Sequence, residues 1–237
     1  ALNQGYYFWK IHALNGWTLD DGAYVSAPAG INAGSAGVYN LLASLYDYPA
    51  WVKAVGPDGI YSRYNDLFGY PFDFSIEPLV PVSISQPAMQ LPFEPGDTWS
   101  FTGGPHAGWG SGSAWAAIDF APPGEGKGCV SSDAWVTAVA AGQVVYSNFG
   151  VVILDLDQDG HQQTGWNVLY LHIESRERVA VGTLVKAGDH IGHPSCEGGV
   201  SNGTHVHLAR RYNGEWISAD RTPLFNLDGW LSEGSGV

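Results

Sequence analysis

The chain of 237 residues carries 23 Asp and Glu against 10 Lys and Arg, a formal net charge of -13. No basic stripe is available to neutralise phosphates, which excludes a nucleic-acid partner and disfavours anionic membrane surfaces. A content of 32 Gly, 14 Pro, 10 Trp and 12 Tyr predicts a mainly β protein of short antiparallel strands joined by turns, and no apolar run is long enough for membrane insertion.

Residues 1 to 30 are aromatic and rich in Gly and Asn, with no period that assigns an element. Beyond them Val38, Leu41, Leu42 and Leu45 recur at helical spacing, which predicts a helix capped by Ser35 with Pro49 past its end. Gly56-Pro57-Asp58-Gly59 reads as a turn. Tyr61, Tyr64, Leu67 and Phe68 then predict a second short helix that stops at Gly69, with its aromatic residues in a small core. Pro71, Pro78, Pro81, Pro87, Pro92 and Pro95 rule out a central strand or helix there. We place the domain boundary near Gln90, so that residues 1–90 are a partly helical N-terminal region with a Pro-rich linker and residues 91–237 a β domain.

In the second part, Trp99 to Thr102 predicts a strand, and Gly103-Gly104-Pro105 a turn that delivers His106. A flexible loop with Gly108, Gly110 and Gly112 follows, then a strand from Ala116 to Phe120 carrying a single acid, Asp119. Further strands are expected over 135–139, 143–147, 151–157, 166–172, 181–186, 190–192 and 204–210. Asp155-x-Asp157-x-Asp159-Gly160 resembles the first half of a calcium loop and makes these acids candidate Ca2+ ligands. The position that would supply the bidentate Glu of an EF-hand is Trp166, so the alternative is a solvated acidic hairpin tip.

Gly203-Thr204-His205-Val206-His207-Leu208 draws the rest together. On a strand His205 and His207 share one face, roughly 7 Å apart, with Val206 and Leu208 on the other. Upstream stand His106, Asp119 and His172, the last expected on the same face as Tyr170 and Val168. Imidazole nitrogen and carboxylate oxygen suit zinc, and a catalytic zinc site takes three protein ligands and leaves a fourth position for water. Singly each residue has a plainer reading, as a turn acid or a solvent-facing strand histidine. His12, His161, His190 and His193 are assigned to other places, with His193 the one that a turn beside the site could hold. Cys129 and Cys196 either pair, which would close a long loop and imply an oxidising compartment, or remain two buried thiols or further ligands.

His106-x12-Asp119, Tyr170-Leu171-His172, Val185-x2-Gly188-Asp189-x-Ile191-Gly192 and Ser201-x-Gly203-x-His205-Val206-His207 together resemble the lysostaphin-type, or M23, zinc endopeptidases of bacterial cell walls. The long gap between the first His and the Asp resembles the β-lytic and staphylolysin branch, and the likeness spans about residues 93 to 220. The resemblance implies that His106, Asp119 and His207 bind Zn2+ while His172 and His205 flank the catalytic water. It implies a secreted bacterial enzyme, its signal peptide removed, acting as a monomer on peptidoglycan peptides at glycine. Residues 1–90 would then be an accessory or pro-like region. The rival readings are a non-catalytic cell-wall-binding or regulatory module of the same fold and a peptidoglycan amidase.

Overall fold

The computed structural model describes residues 15–29, 31–69, 78–110, 113–124 and 127–233. The chain divides into two compact units, Ala1–Glu77 with Ser111–Ser113, and Pro78–Gly110 with Ala114–Val237. The described residues are mainly antiparallel β, with three helices confined to the first unit.

In the first unit β1 (Gly16–Thr18) and β2 (Tyr24–Ser26) form a hairpin, which the sequence did not reveal. Helix α1 (Ala33–Ala43) is capped by Asn32, whose side chain accepts from the Ser35 amide, so the cap lies three residues before the expected Ser35. Pro49 does not lie past a helix end. It sits in the first turn of α2 (Tyr48–Val55), where its missing N–H costs nothing, and Asp47 caps that helix. Helix α3 (Ile60–Phe68) stops at Gly69 as expected, yet Tyr64 and Leu67 are 47% and 73% exposed and are not core residues. The core of this unit is instead Trp17, Leu19, Leu42 and Trp51, with Tyr39 set edge-on to both indoles.

The second unit is built on one antiparallel sheet. Its strands are β3 (Ser100–His106), β4 (Ala117–Ala121), β6 (Gly142–Asn148), β7 (Val151–Asp155), β8 (Trp166–Leu171), β9 (Leu184–Val185), β11 (Val206–Tyr212) and β12 (Glu215–Trp216). Their order is β3-β4-β11-β8-β7-β6-β9, with β12 on the edge of β11. Short strands β5 (Val136–Thr137) and β10 (His190–Gly192) pair with each other, as do β13 (Asn226–Leu227) and β14 (Trp230–Leu231). Alternation sorts the sheet into two faces. Ile118, Phe120, Val168, Tyr170, Val206 and Leu208 enter the main core, whereas Val151, Ile153, Leu169 and Leu171 form a smaller cluster on the other face. Residues 78–90 pack with this unit. Met89 is buried in the main core, and the Gln90 amide donates to the Val139 carbonyl.

Cys129 and Cys196 are joined, 67 residues apart in sequence and 5.8 Å between Cα atoms. The bridge fastens two loops that are also laced by the Thr204 amide on the Gly128 carbonyl and the Val130 amide on Thr204 Oγ1. Replacing both cysteines by Ser should destabilise the domain by about 4 kcal/mol and lower its Tm by about 10 °C in a thermal melt. A shift near zero would mean that the lacing hydrogen bonds hold the loops unaided.

Candidate metal centre

Three neighbouring strands bring His106, Asp119 and His207 together on the face opposite the main core. Asp119 on β4 and His207 on β11 are direct cross-strand partners. The expected turn at Gly103-Gly104-Pro105 is absent: β3 runs unbroken to His106, with register shifts after Phe101 and Gly103 that re-aim its end. Gly103 lies opposite Asp119, where a Cβ would stand 2.6 Å from Asp119 Oδ2. Gly103→Ala should therefore push the carboxylate aside and lower metal affinity at least about tenfold at little cost in Tm, as read by metal titration. Unchanged affinity would show that Asp119 can yield without loss.

His106 Nε2 is 3.3 Å from Asp119 Oδ1, His207 Nδ1 is 3.2 Å from the same oxygen, and the two nitrogens are 3.0 Å apart. Ligand atoms about 2.0 Å from a tetrahedral centre stand about 3.3 Å from one another, so this triangle has the edges of one face of such a polyhedron. Asp119 Oδ1 is buried without a hydrogen-bond partner of its own, and two imidazole nitrogens with one carboxylate oxygen suit zinc. The residues present fit the ion.

The outward ring nitrogens settle which atoms face inward. His106 Nδ1 is 2.8 Å from the Gly104 carbonyl, and His207 Nε2 is 3.2 Å from that of Gly108. His172 Nδ1 is 2.8 Å from the Glu197 carbonyl and His205 Nδ1 is 2.7 Å from that of Gly203. A carbonyl can only accept, so each of these nitrogens carries the proton and each neutral ring turns a bare lone pair inward. Sequence reasoning missed these four carbonyls because a backbone oxygen leaves no mark in residue identity.

His172 does not stand on the face of Tyr170 and Val168 as expected. Tyr170 is buried in the main core, where its hydroxyl accepts from the Val139 amide. His172 follows the last residue of β8 with φ +67, and this left-handed turn carries its ring to the Asp119 face, 4.5 Å between centroids from His205. His205 precedes β11 in an isolated bridge to Ser195, its Nε2 3.6 Å from Asp119 Oδ2.

Electrostatics follow from burial and company. Burial raises the Asp119 carboxyl, but the adjacent His106 and His207 rings, whenever they carry a second proton, outweigh it and hold the group well below the usual carboxylate range. For His106 burial acts downward, and the bond to Asp119 with its charge turns the net shift upward. His172 is pushed down to about 4 by burial and by the His205 and His207 rings, so it is neutral at physiological pH.

The five residues line an open groove of about 620 Å³, with Trp109, Gly198 and Gly199 among its walls. His193 is not at the site: it is buried between the Ala134 carbonyl and Glu177, against Trp135. His190 pairs with Glu94, His161 lies at the tip between β7 and β8, and His12 falls outside the described residues.

Residues 117–219 match the family description Peptidase family M23. The chain is 30% identical over 210 residues to Protease LasA of Pseudomonas aeruginosa, covering 80% of this chain and 47% of that protein. It therefore spans about half the length of the curated relatives it matches. Among solved structures it resembles the M23 metalloprotease pseudoalterin from the deep sea, at 29% identity and a TM-score of 0.48 over 58% of this chain and 78% of that one. It also resembles the catalytic domain of the antimicrobial peptidase lysostaphin from Staphylococcus simulans, at 24% identity and a TM-score of 0.36 over 52% of this chain and 89% of that one. The matched stretch takes in every motif that carried the resemblance except His106, and residues 117–219 are a peptidase family M23 domain.

Proposed function

We propose that this chain is a zinc-dependent endopeptidase that hydrolyses peptide bonds of bacterial peptidoglycan, in a cross-bridge or stem peptide and at glycine. The observation that carries this reading is the triangle of His106 Nε2, Asp119 Oδ1 and His207 Nδ1, with edges of 3.0 to 3.3 Å, beside two further imidazoles. Family membership supports peptide hydrolysis, and the similarity to Protease LasA supports a protease. The bridge between Cys129 and Cys196 supports an oxidising, extracellular setting.

Zinc held by His106, Asp119 and His207 would supply Lewis acidity to the scissile carbonyl and lower the pKa of a water towards about 7. Everything else falls to the chain. The Gly104 and Gly108 carbonyls fix the tautomers of the two ligand rings, so that each presents a lone pair. His172 and His205 each offer a bare Nε2 to a proton leaving the attacking water, and the protonated ring can then donate to the tetrahedral oxyanion or the departing amine. His205 Nε2 lies 3.6 Å from Asp119 Oδ2. Glycines 198 and 199 leave one wall of the groove without bulky side chains, which suits a slim substrate.

Residues 1–90 are proposed as an accessory or pro-like region. Equal activity of the full chain and of a chain that starts at Pro78 would reject a latent form. Product analysis on purified peptidoglycan tests the main reading: a new amine between two amino acids is expected. Release of lactyl-linked peptide would make it an amidase instead, and binding without turnover a wall-binding module.

A further inference from the structure

The tip between β7 and β8 collects acid that the hydrolytic site does not use. Asp155, Asp157 and Asp159 bring one carboxylate oxygen each within 4.8 Å of one another. Asp157 and Asp159 are exposed, but Asp155 is fully buried, at 0%. Asp155 Oδ2 accepts from the Gly160 amide, whereas its Oδ1 is buried with no hydrogen-bond partner. Directly across the ladder lies Asn167, also at 0% exposure. Its Nδ2 donates to the Thr164 carbonyl, and its Oδ1 is a second buried oxygen without a partner.

Cross-strand partners point to the same face, so two unsatisfied oxygens flank one spot. An amide oxygen and an ionised carboxylate oxygen only accept and cannot satisfy one another. The loop is folded tightly on its acids. Asp159 accepts from the His161 amide and from Thr164 Oγ1, and a Cβ at Gly165, where φ is +55, would stand 2.0 Å from Asp157 Oδ2.

From these contacts we infer that the β7–β8 tip is a second cation site, for Ca2+, held by Asp155, Asp157 and Asp159 with Asn167 Oδ1. An all-oxygen donor set in an irregular loop suits Ca2+, which tolerates six to eight ligands in uneven geometry, better than Mg2+, which demands a regular octahedron. It does not suit zinc, which seeks nitrogen and sulfur. The site binds Ca2+ whatever the groove hydrolyses. Asn167 is the second residue of β8 and His172 follows its other end, five residues on, roughly 16 Å away by the strand repeat. The ion therefore clamps the hairpin from which His172 is hung and takes no part in chemistry.

The test uses the full chain loaded with zinc and stripped of other cations. Tb3+ should bind once per chain and give emission sensitised by the indole of Trp166, which adjoins Asn167. Ca2+ should displace it at concentrations at least about tenfold below those of Mg2+. Ca2+ alone should raise Tm by on the order of 5 °C at a hundredfold excess over Kd. Because Asp155→Asn could fail to fold, the variant is the exposed pair Asp157→Asn and Asp159→Asn, expected to weaken Ca2+ binding at least about tenfold and to abolish the rise in Tm. His106→Ala should leave the Tb3+ signal intact, which separates this site from the groove. No sensitised emission, emission that Ca2+ does not displace, or Ca2+ binding unchanged in the Asp157/Asp159 variant would each overturn the inference.

Discussion

His207→Ala is expected to cost the chain its metal and its activity together, with zinc content falling from one ion per chain to near none and kcat/KM by on the order of 10⁴ or more. His207 Nδ1 supplies two of the three edges of the ligand triangle, 3.0 Å to His106 Nε2 and 3.2 Å to Asp119 Oδ1. Without it two donors remain, too few for a catalytic zinc site. The fold should survive, because the side chain lies on the minor face of the sheet and its removal leaves only the Gly108 carbonyl without its partner, a loss of about 1–3 kcal/mol. Elemental analysis beside circular dichroism separates the two effects. A folded variant that keeps a full equivalent of zinc would remove His207 from the ligand set. Acid should strip the native chain by a related route, since a proton competes with the metal for His106 Nε2. The metal-free ring binds its proton more tightly than an ordinary imidazole, so the apparent metal affinity should begin to weaken above pH 6.5 and weaken further as pH falls.

How far the sequence revealed this site depended on whether side-chain chemistry or backbone geometry placed each residue. Val206 and Leu208 in the core, with His207 between them on the other face, follow from period-2 alternation alone. The same rule misplaced His172, because alternation assumes an extended backbone and His172 leaves it at φ +67. The turn expected at Gly103-Gly104-Pro105 was a fair inference from composition, but pairing with Asp119 and Ala117 draws those residues into a bulged strand. In the first unit Pro49 was misread because proline marks a helix start as readily as a stop. The short strands after residue 214 went unnoticed for want of length: Glu215–Trp216, Asn226–Leu227 and Trp230–Leu231 have no period to detect.

Substituting the two unligated imidazoles should separate binding from turnover. His205→Ala and His172→Asn are expected to keep one zinc per chain and to lower kcat by about 10²–10⁴ each, which is the span of a lost proton-transfer group. Asparagine is the better test at position 172 because it tolerates the left-handed backbone there, so that loss of activity is not confounded with strain. Of the two, His205→Ala should cost more. Burial and two neighbouring rings push His172 down to about 4 and oppose its protonation, whereas His205 Nε2 lies within 3.6 Å of Asp119 Oδ2. On this reading the water's proton goes to His205, and His172 would contribute chiefly by accepting a hydrogen bond that orients the attack. Stopped-flow turnover of a quenched glycine-containing peptide, with metal content measured on the same samples, decides between them. Zinc lost from His205→Ala would turn that residue into a ligand, and a larger defect in His172→Asn at full metal loading would reverse the two roles.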